Sequence, residues 1–510
     1  MNSLNYLKSI LHTLNDKEIG SLEKFVLYQS GYESVNNSKS AQLISLVLAP
    51  ENYSANEMQK TIYGKLSYST FNKLVNRLKE KTLEVILFNS SLRHSKYAER
   101  SKRIFELRKR MIQIDLLILK GVRIRVIDEL NLIIKRAEEY EIYDVLIQAL
   151  YTKQRTQSFD MGLKKAEKHK IDIGIAEEKW TAFNSAQLIF NNIATKISVA
   201  TKPETYKTEL EDALSLLEEK FKRTSSPTVG YFYHLLQVEY LQFKKLFLRA
   251  DIHLKELSKL VEKSKSVYSD FRMGSVKMNL ANNCILLKDF ESTILNIEEA
   301  KQFFRSQPVN LTILKEIELY AYFYKGNLDD CSQLAGFLTI ESRKVNSPLV
   351  YNKIYYLSAC IDFVKSDFII SLNKLDECEE IDKDKEGWNI VKKIMVLLCR
   401  IEIGELESVD LNLGNLDKFM KRILKTKHIR SRYVIVVRIL RKLINENFDY
   451  EKVYRSRKKY FDLLESKEDM YRWEIKSPEL VIFEEWFKCK MKKKSYDHKE
   501  IMNRKFSKVS

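Results

Sequence analysis

The residues whose types could do chemistry are few and far apart. The seven histidines stand at 12, 94, 169, 234, 253, 428 and 498, with no two within five residues, so any metal site has to be assembled from distant helices. His234 and His253 could meet across one helical hairpin, although two unrelated core or solvent-facing histidines are the commoner outcome. The acidic pairs Glu379-Glu380 and Glu484-Glu485 read as solvated helix faces, and nothing marks either as a general acid and base. No Gly-rich phosphate loop, dinucleotide fingerprint, HExxH or GxSxG occurs. These absences argue against an enzyme, and no cofactor or metal is expected. Six cysteines, none in a CxxC pair and none before Cys284, read as reduced thiols; Cys331 and Cys378 fit as small packing side chains.

The elements that would position such groups follow from composition and period. Hydrophobic residues make up 45% and charged residues 31% of 510 residues, the balance of a chain with a core. Only 13 Gly and 6 Pro leave few tight turns, which disfavours sheet-rich folds. From about residue 100 onward apolar residues recur at three- and four-residue steps, the pattern of successive amphipathic helices. Short turns recur at Lys288-Asp289-Phe290, Lys325-Gly326-Asn327-Leu328, Lys365-Ser366-Asp367-Phe368, Ile403-Gly404-Glu405-Leu406 and Asn447-Phe448-Asp449-Tyr450. Their closing apolar residues are 38, 40, 38 and 44 residues apart, a repeat period that points to stacked helical hairpins. Three residues later stand Thr293, Cys331, Ser371, Val409 and Val453, compact side chains where a neighbouring helix has to approach closely.

On these residues the chain resembles the tetratricopeptide-repeat family. Leu280-Ala281, Thr293, Ile297 and Ala300 match its pattern in one unit, Tyr322, Gly326 and Cys331 in the next, and Ala359, Phe368, Ser371, Leu375 and Cys378 in a third. The fit covers roughly 270 to 465, with weaker hairpins at 105 to 160 and 228 to 264. The period exceeds that family's ~34 residues, its Trp and closing Pro are missing, and Arg457 stands where an aromatic is expected. The resemblance implies an all-α fold, a right-handed α-solenoid of hairpins over 96–470. It also implies a non-catalytic scaffold that binds a partner peptide or helix in a groove lined by first-helix side chains. Lys277, Asn282, Tyr322, Tyr355 and Asn389 are the candidate groove residues.

Residues 1–95 form a separate helical domain. Segment 40 to 88 divides into three helices at residues 50–54 and 64–67, with Ser54 and Glu57 set for a capping box and Ser67 or Ser69 capping the last helix. That arrangement fits a helix-turn-helix or winged-helix core, or a plain capping domain. In the first case Ser69, Thr70, Asn72, Lys73, Asn76 and Arg77 would face a nucleic-acid groove while Phe71, Leu74, Leu78 and Leu83 pack inward.

The net charge of +18 is clustered. Arg93 to Arg125 holds 11 basic and 3 acidic residues, including Arg108, Lys109 and Arg110; Lys418 to Lys459 is similarly basic. Clustered cations favour polyanions, so a nucleic-acid-associated regulator is the alternative to the scaffold; solvated helix faces are the plainer explanation. Interleaved aromatics such as Tyr231, Tyr320 and Tyr355 read as core before stacking platform. The Lys-rich segment 471–510 reads as a helix followed by a solubilising, partly disordered tail. The N-terminus lacks a secretory leader and no stretch reaches ~18 uninterrupted apolar residues, so a cytoplasmic protein without a membrane is expected. Abundant Lys, Ile, Asn, Tyr and Phe associate with an AT-rich, bacterial genome.

Overall fold

The computed structural model describes residues 3–30, 38–89, 98–122, 125–157, 163–199, 206–305, 307–344, 348–380, 384, 387–424 and 430–507. Within them every regular element is helical, and no β-strand occurs. The chain forms two compact units, Met1–Tyr97 and Ala98–Ser510.

The first unit contains α1 (Ser3–Leu11), α2 (Asp16–Ser30), α3 (Lys39–Leu48), α4 (Ala55–Tyr63) and α5 (Tyr68–Asn89). Ser54 and Glu57 form the expected capping box on α4, and Gly64 ends that helix in the left-handed conformation at φ 70°. Helix α5 packs on α1, α2 and α3 through Phe71, Leu74, Val75, Leu78 and Val85. Leu83, expected to face inward, is exposed. The buried row continues through Thr82 and Val85 instead, because 83 lies well over a third of a turn off the stripe that 71, 74, 78, 82 and 85 define. A winged-helix wing has no counterpart among the described residues.

The second unit opens with α6 (Glu99–Leu119), α7 (Val126–Glu139), α8 (Tyr143–Gln157), α9 (Leu163–Val199) and α10 (Lys207–Thr224). Hairpins follow: α11 (Pro227–Phe243) with α12 (Phe247–Lys263), α13 (Asp270–Leu286) with α14 (Phe290–Phe303), α15 (Pro308–Lys325) with α16 (Leu328–Lys344), α17 (Pro348–Val364) with α18 (Phe368–Glu377), and α19 (Trp388–Ile403) with α20 (Leu406–Leu424). In the last hairpin α21 (Ser431–Asn445) pairs with α22 (Tyr450–Ser456) and α23 (Lys458–Leu464), a second helix broken at Arg457. Each helix packs chiefly on its sequence neighbour, a consecutive-hairpin arrangement that extends upstream to α11.

One turn recurs through these hairpins. Lys245, Lys288, Gly326, Ser366, Gly404 and Asn447 each adopt a left-handed φ between 49° and 89°. The next residue's N–H bonds the carbonyl five residues back: Leu246 to Leu241 at 2.8 Å, Asp289 to Cys284 at 2.9 Å, Asn327 to Tyr322 at 3.0 Å, Asp367 to Asp362 at 2.9 Å, Glu405 to Arg400 at 3.0 Å and Phe448 to Leu443 at 2.9 Å. This is the Schellman cap, which satisfies the last carbonyls of the first helix while reversing the chain. Of the compact residues three positions after each turn's closing residue, Thr293, Cys331, Ser371 and Val453 are fully buried and Val409 is 1% exposed. Cys331 Sγ reaches Leu319 O at 3.8 Å and Ser371 Oγ donates to Ala359 O at 2.8 Å, the same twelve-residue step back onto the preceding helix. Ser371 Oγ also lies 3.3 Å from Cys399 Sγ on the following first helix, so it sits where three helices meet. Ser371→Leu is expected to cost about 1–3 kcal/mol by overpacking, and Ser371→Ala about 1 kcal/mol. The midpoint of urea unfolding checks both.

The largest departure from expectation is the segment after residue 470. It is not a solvated tail. Leu480 to Phe483, Trp486 and Phe487 are at most 2% exposed and belong to the core of the α13–α23 hairpins. Two short helices, α24 (Phe483–Met491) and α25 (His498–Phe506), end the described chain. Three of the lysines that suggested a tail are paired, Lys488 with Glu465 at 2.5 Å, Lys490 with Glu402 at 2.9 Å and Lys505 with Glu485 at 3.1 Å, whereas Lys492, Lys493, Lys494 and Lys499 are exposed.

Candidate functional site

Counting back from the left-handed turn residue of each hairpin, positions 2, 6 and 10 share one side of the first helix. That side receives residues 476–490. Lys476 bonds Asn282 Oδ1 through Nζ, which also lies 5.3 Å from the Tyr320 ring centre, and its backbone N–H donates to Tyr324 Oη at 2.7 Å. Tyr356 Oη donates to Pro478 O at 2.7 Å. Ile394 and Leu398 pack with Val481 and Phe483. Trp486 Nε1 and Lys490 Nζ donate to the two oxygens of Glu402, at 2.7 and 2.9 Å. A non-helical strap, 472–482, thus crosses α13, α15, α17 and α19 in turn, and α25 folds back so that His498 Nε2 lies 2.8 Å from Phe323 O.

A buried ionic cluster anchors the strap on α21. Arg432 is 1% exposed; its Nε and Nη2 donate to the two oxygens of Glu479 at 2.6 Å each, and Nη2 also to Glu484 Oε2 at 2.5 Å. Its Nη1 donates to Tyr471 O at 2.9 Å. Burial alone would push the Glu484 carboxyl up, but Arg432 and Lys505 hold it below the usual range. The pair Glu484-Glu485, read from sequence as solvated, is therefore interior, because the basic residues that neutralise it come from other elements. Glu379 and Glu380 are exposed, just beyond the end of α18.

His498 is equally enclosed, and burial pushes its pKa down to about 4. The unfolded chain takes up its proton near 6.5 while the folded chain resists until about 4. Stability is therefore expected to fall as the pH drops from about 6.5 towards 4. His498→Gln should flatten that part of a profile of melting temperature against pH.

The expected groove residues fall into two sets. Asn282 lies under the strap. Lys277, Tyr322, Tyr355 and Asn389 stand 11, 4, 11 and 15 residues before their turn residues, about half a turn around the first helices from the strap. Lys277 Nζ pairs with Glu299 at 2.5 Å and Tyr355 Oη donates to Glu377 at 2.8 Å, each tying first to second helix. Tyr322 Oη is 3.5 Å from Glu318 and Asn389 is buried, its N–H on Asp384 at 2.9 Å. Of the aromatic sets, Tyr231, Phe232, Tyr320, Phe323, Tyr324 and Tyr356 are core, whereas Tyr351 and Tyr355 are half-buried.

Among the basic candidates, Ser69, Thr70, Asn72, Lys73, Asn76 and Arg77 are all exposed on α5. On α6 the cations are tied to neighbours: Arg108 to Asp144 at 2.6 Å and Arg110 to Glu129 at 3.4 Å, while Arg103 bridges Glu99 and Glu106. Lys109 is also engaged. Arg100 Nε and Nη2 donate to the carbonyls of Tyr140 and Glu141, both at 2.9 Å. Arg93, Lys96 and Arg123 lie outside the described residues, as do Lys425 and Lys427 in the second basic stretch, where Arg430 pairs with Glu474 at 3.3 Å.

No family model matches the chain, and no curated protein matches it. Among solved structures it is similar to the crystal structure of a Signal Transduction ATPase with Numerous Domains (STAND) protein with a tetratricopeptide repeat sensor from Pyrococcus horikoshii, at 12% identity over 85% of this chain and a TM-score of 0.44. The chain spans 66% of that structure's length, and the likeness is too distant to place it in a family.

Sequence reasoning missed several interior polar groups. Glu141, at the turn between α7 and α8, accepts from Tyr143 Oη at 3.0 Å, from Thr228 N at 3.0 Å and from Ser226 Oγ, and so caps α11 from a residue 87 positions away. His234 and His253 do meet across the α11–α12 hairpin, with Nδ1 atoms 3.0 Å apart. A cleft of about 1000 Å³ beside α6 and α8, lined by Asp115, Gln148, Tyr151 and Arg155, brings together no nucleophile and base. Among the described residues no group of three or more His, Cys, Asp or Glu could hold a metal ion, and no helix is long and apolar enough to cross a membrane.

Proposed function

We propose that this chain is a non-catalytic interaction scaffold of tetratricopeptide-like hairpins that docks a helix or extended peptide of another protein. The strap carries this reading. The hairpins' first helices already hold an extended segment by a lysine on Asn282, a backbone bond to Tyr324 and a carbonyl bond from Tyr356, the contacts by which such arrays take a peptide. Because that side is filled from α13 onward, the partner's place is the other side of the first helices, where Lys277, Tyr322 and Tyr355 remain partly exposed; Asn282 serves the strap. A photo-reactive residue at Tyr322 or Tyr355 is expected to cross-link one protein in cells, and the same group at Asn76 on α5 a different one or none. If neither position captures a partner that a purified peptide competes away, the reading is wrong.

The exposure of all six polar and basic residues on one face of α5 supports a second reading, nucleic-acid contact through that helix. Arg108 and Arg110 on α6 are each paired with an acid, Asp144 and Glu129, so α5 is the main support of this reading. Anisotropy titrations at two salt concentrations should give salt-sensitive binding whose slope falls by about 2 in the Lys73→Ala/Arg77→Ala variant. No binding to duplex or single strands at micromolar protein would eliminate it.

A further inference from the structure

Acids on the first helices of the hairpins are paired, with one exception. On α13 to α21 every described acid that is at least half-buried has a lysine: Glu316 with Lys353 at 2.5 Å, Glu318 with Lys301 at 3.2 Å, Asp362 with Lys374 at 2.6 Å and Glu402 with Lys490 at 2.9 Å. Glu239 on α11 is half-buried as well, yet among the described residues no hydrogen-bond donor and no cation meets it. Burial pushes its carboxyl up with no charge to offset it. A carboxylate partly withdrawn from water in this way costs free energy that a counter-charge normally offsets.

Contacts around α11 fix where Glu239 points. Tyr240 Oη donates to Glu211 on α10 at 2.9 Å, and His234 meets His253 on α12. Phe232 stacks on Phe190 of α9 with ring centres 4.8 Å apart, and Gln242 Nε2 donates to Asn283 Oδ1 on α13 at 3.2 Å. At ~100° per residue, Glu239 and Leu235 fall between the α9 and α13 directions and away from α10 and α12. That is the side the strap covers on the later hairpins: counted from Lys245, Glu239 holds the sixth position, the place of Asn282 on α13 and Tyr320 on α15. Lys476 of the strap serves both of those, with Nζ on Asn282 Oδ1 and 5.3 Å from the Tyr320 ring centre. On α11 the place is left open. Trp473 and Ile475 pack with the core of the α13–α23 hairpins, and no residue of the strap belongs to the α9–α13 core. Residues 469–474 meet α11 at its turn, where Lys245 pairs with Asp469 and Glu474.

We propose that the groove side of α11, one hairpin upstream of the strap, binds an extended segment of another protein through a lysine or arginine whose cation pairs with Glu239. The model for the contact is within the chain, where Lys476 and Lys490 bring their ammonium groups to Asn282 and Glu402 on the same side of α13 and α19. Leu235 and Phe243, half-buried one turn to either side of Glu239, take the apolar stem of the basic residue and its neighbours. The carboxylate sets the class of partner: an acidic segment brings like charges together where water is partly excluded, and a neutral one leaves Glu239 unpaired. This opening is separate from the Lys277, Tyr322 and Tyr355 side, so the two docking surfaces stand or fall independently.

Panning a random dodecapeptide phage library on the full chain tests this. Enriched peptides are expected to share a Lys or Arg; synthesised with a fluorescein label, they should bind about tenfold more weakly to Glu239→Gln. Changing that basic residue to Glu should abolish binding to the native chain and restore it on Glu239→Lys. The absence of any enriched peptide, enrichment without a basic residue, or an affinity unchanged in Glu239→Gln would overturn the proposal. So would peptides that are all lost on Tyr355→Ala and kept on Glu239→Gln, which assigns docking to the opposite side alone, or a self-association that Glu239→Gln abolishes, which makes the occupant a second copy. Should the variants fail to fold, the native chain still decides. Peptide binding at pH 5 is expected to release a proton, read as a calorimetric enthalpy that depends on the buffer, because the incoming cation lowers a carboxyl that burial had raised; binding with no proton released overturns it.

Discussion

Arg432→Met is expected to lower the unfolding free energy by about 3–5 kcal/mol. Removing the guanidinium leaves Glu479 and Glu484, at most 6% exposed, as two interior carboxylates whose main counter-charge has gone. Lys505 remains 3.5 Å from Glu484, which neutralises one of them in part. The carbonyls of Tyr471 and Leu464 lose a donor as well. The loss should grow as the pH rises, because the stranded acids then cost most to ionise, and diminish in mild acid where they take up protons. Changing Arg432, Glu479 and Glu484 together to apolar residues of similar volume should recover most of it, since desolvating such a cluster offsets much of its Coulomb attraction. Urea unfolding of the single and triple variants at two pH values measures both effects.

Deletion of residues 471–510 is expected to leave the second unit insoluble or molten, with ANS binding and a lost near-UV signal. A solvated tail could be removed at no cost. Here deletion uncovers Tyr324, Tyr356, Ile394 and Leu398 and orphans Arg432 and Glu402. A milder version is Trp486→Ala, which empties the volume of a fully buried indole and leaves Glu402 Oε1 without its donor; about 3–5 kcal/mol is expected from the cavity. A soluble deletion that melts cooperatively near the full-length temperature would show that the strap is dispensable.

The hairpins were legible because their signals are local. A short turn after a helical period and a compact side chain three residues beyond its closing apolar residue are readable at fixed spacing, and the structure buries all five compact residues. The strap and the two helices after it were not legible, since Lys488, Lys490 and Lys505 look like solvent-facing charge until Glu465, Glu402 and Glu485 are placed beside them. The same holds for Arg432 and Glu141, whose partners are 47 to 52 and 85 to 87 residues away. Composition reports that charge is present and not what it faces. Four of the five groove candidates fell on one side of the first helices because the helical period was right; the occupied side escaped notice because its occupant carries no repeat signature.

The strap also changes the order in which the protein can be made. An array of hairpins bonded only to neighbours can settle one module at a time as it leaves the ribosome. Here contacts of 229, 194 and 175 positions in sequence join the α11, α13 and α15 hairpins to residues synthesised at the far end. The inner sides of those helices, apolar and uncovered, must wait for it. Nascent chains stalled before residue 471 should therefore engage holdase chaperones, and release from them should coincide with the appearance of Trp486.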